Sequence, residues 1–268
     1  MPNQMSLLGI GGAAVSWAPT DITGGQFWGR STLGLYQERT GASATTPAAA
    51  DADPVGSWLD QFISAHHVVA PSDAARPTLK LNIQNGKPVV RFDVIDDVLS
   101  YAGSISTSQT GSVFIVYKAL GNTGNRTVWS VGTDGALAVT FQDRPASVNN
   151  FYLTQYGTGD DDSAKGSSTG AAQAAFGLLE VHSDGADWFI NWNTGVETLT
   201  VTAGSNDGDW FGDVASLTHF DIGALYVGGY TQWGQIDVCE MLVYDGQVTG
   251  ADLTALRGYL NGEYALWV

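Results

Sequence analysis

A chain of 268 residues with 27 Asp and Glu against 11 Lys and Arg carries a formal net charge of −16. Phosphate backbones and anionic lipid surfaces are held by clustered Lys and Arg, so nucleic acid and charged membranes are excluded as expected partners. Apolar residues make up 44% of the chain and 34 glycines punctuate it, a composition of strands and turns around a sizeable core.

The first segment, residues 5–18 (MSLLGIGGAAVSWA), is apolar and Gly-rich and lacks the basic start of a secretory signal. We read residues 1–18 as an arm that docks on a partner and residues 19–268 as one domain, with no Sec-type export and no membrane-spanning segment. Residues 40–54 are small, polar and Ala-rich, a surface loop. Strand patterns follow at 87–94, 112–120, 126–131 and 136–142, the last two flanking a Gly132-Thr133-Asp134-Gly135 turn. A second loop spans 157–174. Residues 175–183 and 187–192 then flank Asp184-Gly185 as another hairpin, and 196–202, 219–228 and 236–244 continue the series. Short strands at regular spacing predict an all-β, antiparallel two-sheet sandwich rather than βαβ units. One short helix is predicted at the C-terminus. Thr249 and Asp252 read as a capping box, and Leu253, Leu256, Leu260 and Tyr264 recur at helical spacing, to be placed against a sheet edge or end. The single cysteine, Cys239, lies in an apolar run and reads as a buried, inert thiol.

Two stretches carry a family resemblance. Residues 54–99 include VGSWLDQ and ARPTLKLNIQNGKPVVRFDVIDDVL, and residues 234–266 read GQIDVCEMLVYDGQVTGADLTALRGYLNGEYAL. With Asp21 to Trp28 (DITGGQFW), they resemble the LamG-like, concanavalin A-like domains of bacterial surface proteins and phage virion proteins. Val94 is a departure, standing where that family usually carries Gly. The resemblance implies a concanavalin A-like jelly roll and a role in glycan binding, adhesion or virion decoration, without catalysis. It also implies display on a virion or outside a cell. Capsid or tail proteins would be reached through residues 5–18, and a homo-oligomer is the expected assembly.

Three sets of residues are candidates for chemistry. Gln235-x-Asp237-x-x-Glu240 is similar to the Glu-x-Asp-x-x-Glu strand of laminarinase-type glycosidases, but Gln235 stands at the nucleophile's place and cannot form a glycosyl ester. The hard cation Ca2+ takes six to eight oxygen ligands. Asp207, Asp209 and Asp213 in the loop after Asn206 are the favoured metal set. Asp160 to Asp162 read instead as a solvated tip, and Asp93, Asp96 and Asp97 as turn caps. Sugar rings stack their C–H faces on aromatic rings, so the loop aromatics Trp210, Phe211, Tyr230, Trp233 and Tyr156 are the expected carbohydrate contacts. Trp58, Trp129, Trp188 and Trp192 lie in strand-like patterns and read as core. His66 and His67 read as ordinary, and no Gly-x-Ser-x-Gly elbow or phosphate-binding Gly motif occurs. The expected function is a non-catalytic carbohydrate- or surface-binding module displayed on a phage virion. The alternatives are a purely structural virion protein and, third, a glycoside hydrolase or lyase.

Overall fold

The computed structural model describes residues 17–121, 124–133, 138–144, 151–156, 164–167 and 175–268, with the backbone alone at 155–156, 164–167 and 202–203. The first strands are β1 (Gly25–Arg30), β2 (Leu35–Tyr36), β3 (Ser57–Trp58), β4 (Val68–Val69), β5 (Thr78–Gln84), β6 (Lys87–Phe92) and β7 (Leu99–Ala102). Then come β8 (Gly111–Ala119), β9 (Arg126–Gly132), β10 (Ala138–Asp143), β11 (Phe151–Tyr156), β12 (Ala164–Ser167), β13 (Gly177–Ser183) and β14 (Trp188–Trp192). The series ends with β15 (Gly195–Val196), β16 (Leu199–Ala203), β17 (His219–Ile222), β18 (Leu225–Tyr226), β19 (Tyr230–Thr231) and β20 (Ile236–Asp245), followed by the helix α1 (Gly250–Tyr264).

The strands form an antiparallel jelly-roll sandwich of two sheets. One has eight strands in the order β15-β14-β13-β8-β20-β6-β5, with β1 also pairing with β20. The other has ten, in the order β16-β12-β11-β10-β9-β17-β7-β4-β3-β2, and β18 and β19 make a separate two-stranded hairpin. Alternation sends every second side chain inward. Val113, Ile115 and Tyr117 of β8 and Leu179 and Val181 of β13 meet Trp129, Val131, Val139, Phe141 and Leu153 of the opposite sheet in one buried cluster. Trp58, Trp129 and Trp188 are in that core as expected, and Trp192 packs against it half-buried. Both predicted hairpins form: β9 pairs with β10, and β13 with β14. The strand predicted over 219–228 breaks at Gly223. Its φ of +92° suits glycine, and a side chain there would overlap the Phe92 ring.

The helix lies differently from expectation. It covers the outer face of the eight-stranded sheet instead of an edge or end: Leu256, Leu260 and Tyr264 pack on Val89, Phe114, Val116, Leu178, Leu242 and Tyr244. Thr249 is the N-cap but makes no side-chain capping bond, so the capping box is absent. Two fully buried acids hold the helix instead. Glu180 on β13 accepts Arg257 Nε at 2.6 Å and Nη2 at 2.5 Å, and Asn191 Nδ2 at 3.0 Å. Glu240 on β20 accepts Trp28 Nε1 at 2.6 Å, Tyr259 Oη at 2.9 Å and Tyr264 Oη at 2.7 Å. A bulge between Val238 and Glu240 resets the alternation, so Val238 points into the core while Cys239 and Glu240 both face the helix. Cys239 is buried, and burial pushes its thiol well up, which keeps it inert. Residues 1–16, the greater part of the expected arm, lie outside the described residues; Trp17 packs on Tyr259 with ring centroids 6.0 Å apart. No helix among the described residues is long and apolar enough to cross a membrane.

Removing one partner of a buried pair strands the other charge. Arg257→Met is therefore expected to cost about 3–5 kcal/mol in urea unfolding, as for other broken buried pairs. The double variant Arg257→Met with Glu180→Gln is expected to recover part of that loss.

Candidate functional site

The outer face of the ten-stranded sheet carries a different pattern. Phe220, Ile222, Val131, Val139, Phe141, Phe151, Leu153 and Leu99 point into the core, so their neighbours point away from it. Strand register aligns these outward residues into rows. Ser100 pairs with Asp221, Asp221 with Ser130, Ser130 with Thr140 and Thr140 with Thr154. This row crosses five strands, and all five side chains are buried. A second row joins Thr127, Gln142 and Tyr152.

The β18–β19 hairpin folds over this face. Its base is pinned where Gly234 N–H donates to Gly223 O at 2.5 Å, and Thr127 N–H donates to Gln232 O at 3.0 Å. Ser130 Oγ donates to Ala224 O at 2.9 Å, and the Gln142 amide donates to the Gln232 side-chain oxygen. Four half-buried rings run along it: His219 stacks on Tyr226 at 3.9 Å, Tyr226 meets Tyr230 at 5.0 Å, and Tyr230 meets Trp233 at 5.7 Å. Beside it the Arg144 guanidinium lies 3.4 Å from the Tyr152 ring centroid and donates to Gln142 Oε1 through Nε at 2.9 Å. Amides, hydroxyls, one guanidinium and aromatic faces thus converge on one surface. That donor, acceptor and ring set can read a polyhydroxylated ligand.

Asp221 lies beneath the hairpin with no exposure. Burial pushes its carboxyl up to about 8. The hydroxyls of Ser100, Tyr230 and Ser130 surround it and offset part of that shift, but none is aligned for a full hydrogen bond with either oxygen. The same burial pushes the Tyr230 phenol up.

The expected site residues divide. Tyr230 and Trp233 lie on this hairpin, where Trp233 packs beside Ala75, Val98 and Ala224. Tyr156 ends β11 opposite Ala138, and its side chain lies outside what the structure describes. Trp210 and Phe211 are not surface contacts: both are fully buried, stacked on each other at 4.7 Å and packed against Trp129 at 6.1 and 5.7 Å. The loop carries them into one end of the sandwich, where Gly111 leaves space for the Trp210 indole that any side chain would fill. A ring without an exposed face cannot stack on sugar.

The metal set is corrected in the same way. Asp213 accepts Trp210 N–H at 2.8 Å and the Gln109 amide at 2.7 Å, while Asp207 accepts Ser205 Oγ at 3.0 Å. Asp209 contributes its backbone carbonyl to Trp188 Nε1 at 2.6 Å. Asp207, Asp209 and Asp213 do not converge as a ligand set. Among the described residues, the acidic cluster whose oxygens lie within 4.8 Å of one another is Asp93, Asp96 and Asp97. Those residues cap their own turn: Asp93 Oδ1 accepts Ile95 N–H at 2.7 Å, and Asp97 Oδ2 accepts Asp93 N–H at 2.7 Å. Asp160 to Asp162 lie outside the described residues.

The glycosidase-like strand offers no accessible acid. Glu240 is sealed under α1, and Asp237 is paired with Arg91 through two contacts of 2.7 Å. Ser112, His182 and Glu180 form a relay that the sequence did not reveal: Ser112 Oγ lies 2.9 Å from His182 Nδ1, and His182 Nε2 lies 3.6 Å from Glu180 Oε2. All three are buried, and Ser112 Oγ accepts Val248 N–H at 2.8 Å, so the relay secures the chain as it enters α1. His66 and His67 make ordinary local contacts, to Gln26 O at 2.6 Å and Asp60 N–H at 3.0 Å. Gln142, Arg144, Tyr152, His219, Asp221, Tyr226 and Gln232 also escaped the sequence-based expectations. The available signal was polar–apolar alternation in Thr140-Phe141-Gln142 and Tyr152-Leu153-Thr154.

No protein-family model matches the sequence, and no curated protein matches it. Solved structures share the fold. Domain 4 of AbnA, a GH43 extracellular arabinanase from Geobacillus stearothermophilus in complex with arabinotriose, is similar at a TM-score of 0.50 and 14% identity, over 67% of this chain and 81% of that one. An arabinofuranosidase complexed with arabinofuranosyl-alpha-1,2-xylobiose is similar at a TM-score of 0.53 and 13% identity, over 87% of this chain and 61% of that one. Trypanosoma rangeli sialidase in complex with sialic acid is similar at 0.54 and 8% identity, over 81% of this chain and 32% of that one. At these identities the likeness is one of fold.

The buried acids set a pH dependence. Asp97 and Asp143 are pushed up to about 7, and Asp221 to about 8, in each case chiefly by burial. An unfolded Asp ionises near 3.9. From about pH 4 to pH 8 the folded chain therefore holds more protons than the unfolded one, and stability falls as pH rises. Melting temperature is expected to be lower at pH 8 than at pH 5. Asp221→Asn is expected to flatten that fall and to melt above wild type at pH 8.

Proposed function

We propose that this chain is a non-catalytic carbohydrate-binding module whose sugar contacts lie on the outer face of the ten-stranded sheet, along Tyr226, Tyr230 and Trp233 and beside Gln142, Arg144 and Tyr152. The observation that carries this reading is the convergence of four aromatic rings with amide and hydroxyl groups on one sheet face. Two features favour binding over turnover. Gln235 replaces a nucleophile, and Glu240 and Asp237 are committed to structural partners. The fold shared with an arabinanase domain in complex with arabinotriose supports a saccharide as the ligand. The resemblance of residues 54–99 and 234–266 to LamG-like domains supports display on a phage virion or cell surface, with residues 5–18 as the docking arm on capsid or tail proteins.

The test is a glycan array, run in calcium and repeated in EDTA. Binding to a defined set of glycans is expected. Tyr226→Ala and Trp233→Ala are each expected to weaken it about tenfold, the equivalent of about 1.4 kcal/mol. Absence of binding in both buffers overturns the reading and favours a purely structural virion role. Trp210→Ala separates core from surface. It is expected to cost about 3–5 kcal/mol of stability, as large core truncations do, and to leave the affinity of the remaining folded protein unchanged.

A further inference from the structure

Buried polar side chains that lack a hydrogen bond are uncommon in folded proteins, and each points to a partner such as water, an ion or a ligand. Here they gather. Ser100 Oγ, Thr127 Oγ1, Thr154 Oγ1 and both carboxyl oxygens of Asp221 are buried without a hydrogen bond of good geometry. All four residues belong to the outward rows of the ten-stranded sheet. The buried acids of the opposite outer face, Glu180 and Glu240, have full sets of donors. The opposite outer face has orphaned atoms too, Arg30 Nε and His182 Nε2, but its buried carboxylates are satisfied, whereas Asp221 has no aligned donor.

The cover over this floor is slight. Residues 224–233 pack through a satellite cluster of Ala75, Val98 and Ala224, with Tyr230 and Trp233 against it, separate from the main core. The segment is bounded by Gly223 and Gly234, and its tip is Gly228-Gly229. Segments with few buried apolar contacts open at low free-energy cost.

We propose that residues 224–233 are a flap, and that Asp221 with Ser100 and Thr127 is the hydroxyl-reading floor beneath it, taking an uncharged sugar when the flap lifts. This rests on the carbohydrate-binding reading and deepens it. In the lifted state the carboxylate of Asp221 accepts two neighbouring sugar hydroxyls, and the Ser and Thr hydroxyls supply both donors and acceptors to the next ones. An acidic sugar is disfavoured there, because its carboxylate meets Asp221 in a chain of net charge −16. The rings of Tyr226, Tyr230 and Trp233 move with the flap and close on the sugar's C–H faces.

The Gln142 and Gln232 side chains touch across the flap boundary. A Gln142→Cys, Gln232→Cys pair bridged by a short bis-methanethiosulfonate reagent, whose links reduction cleaves, closes it, and the native Cys239 is buried away from it. Binding to an array of neutral arabino-, xylo-, gluco- and galacto-oligosaccharides, with sialylated oligosaccharides alongside, is measured before and after reduction. The bridged pair is expected to bind at least ten-fold more weakly than the same double variant after reduction, and Asp221→Asn is expected to lose at least ten-fold while staying folded. Should the pair misfold, hydrogen exchange on wild type decides. The Thr127 amide, which donates to Gln232 O, is expected to exchange faster when the same oligosaccharides are added. Wild type that binds glycans, with affinity unchanged by closure and by Asp221→Asn, overturns the flap and leaves the module reading intact. Binding confined to sialylated glycans also overturns the flap's uncharged ligand. Wild type that binds no glycan removes both readings.

Discussion

Two carboxylates with no access to water decide which side of the sandwich is closed. Glu180 and Glu240 point outward from neighbouring regions of the eight-stranded sheet, and a charge there is tolerated only with donors on every side. Those donors are Arg257, Tyr259 and Tyr264 on α1 and Trp28 on β1. The helix cannot slide or tilt without leaving an acid unpaired. Burial pushes both carboxyls up; at Glu180 the Arg257 and His182 contacts outweigh it and hold the group below its ordinary value, while at Glu240 burial prevails. The helix thus seals one outer face.

The other outer face follows a different logic. Among the described residues no helix lies on it, and the Ser100, Asp221 and Ser130 part of its polar row is covered by a two-stranded hairpin whose apolar anchorage is small. A network in which every atom has a partner rigidifies a fold, whereas one with open positions has bonds left to make. Satisfied acids lie under α1, whereas Asp221 under the hairpin lacks an aligned donor. Asp221 marks the difference: burial holds its carboxyl up at about 8 although the hydroxyls of Ser100, Tyr230 and Ser130 offset part of that rise, and a partner that supplies further donors draws it toward the ionised form.

The sandwich also limits chemistry. A glycosidase needs two carboxyl groups that reach one bond from opposite roles. In β20 the bulge at Cys239 turns Glu240 to the helix side, and Arg91 takes both oxygens of Asp237. Other acids are engaged in turns, caps and clamps, as at Asp93, Asp213 and Glu180.

What the sequence determined by itself was local: the period-2 runs, the β9–β10 and β13–β14 hairpins, the helix around Leu256 and Leu260, and the buried Trp58, Trp129 and Trp188. Each depends on residues within a few positions, where alternation, turn chemistry and side-chain type act directly. Tertiary structure alone decided the rest. Trp210 and Phe211 lie in a polar, Gly-rich loop and still point inward, and the gap that admits the Trp210 indole is left by Gly111, far upstream in the chain. The face that Glu240 occupies turns on one extra residue in the ladder. The polar row joins residues 100, 221, 130, 140 and 154, which share nothing in sequence until strand register lays them side by side. Register is set by pairing between distant segments, so a site built across strands is invisible along any one of them.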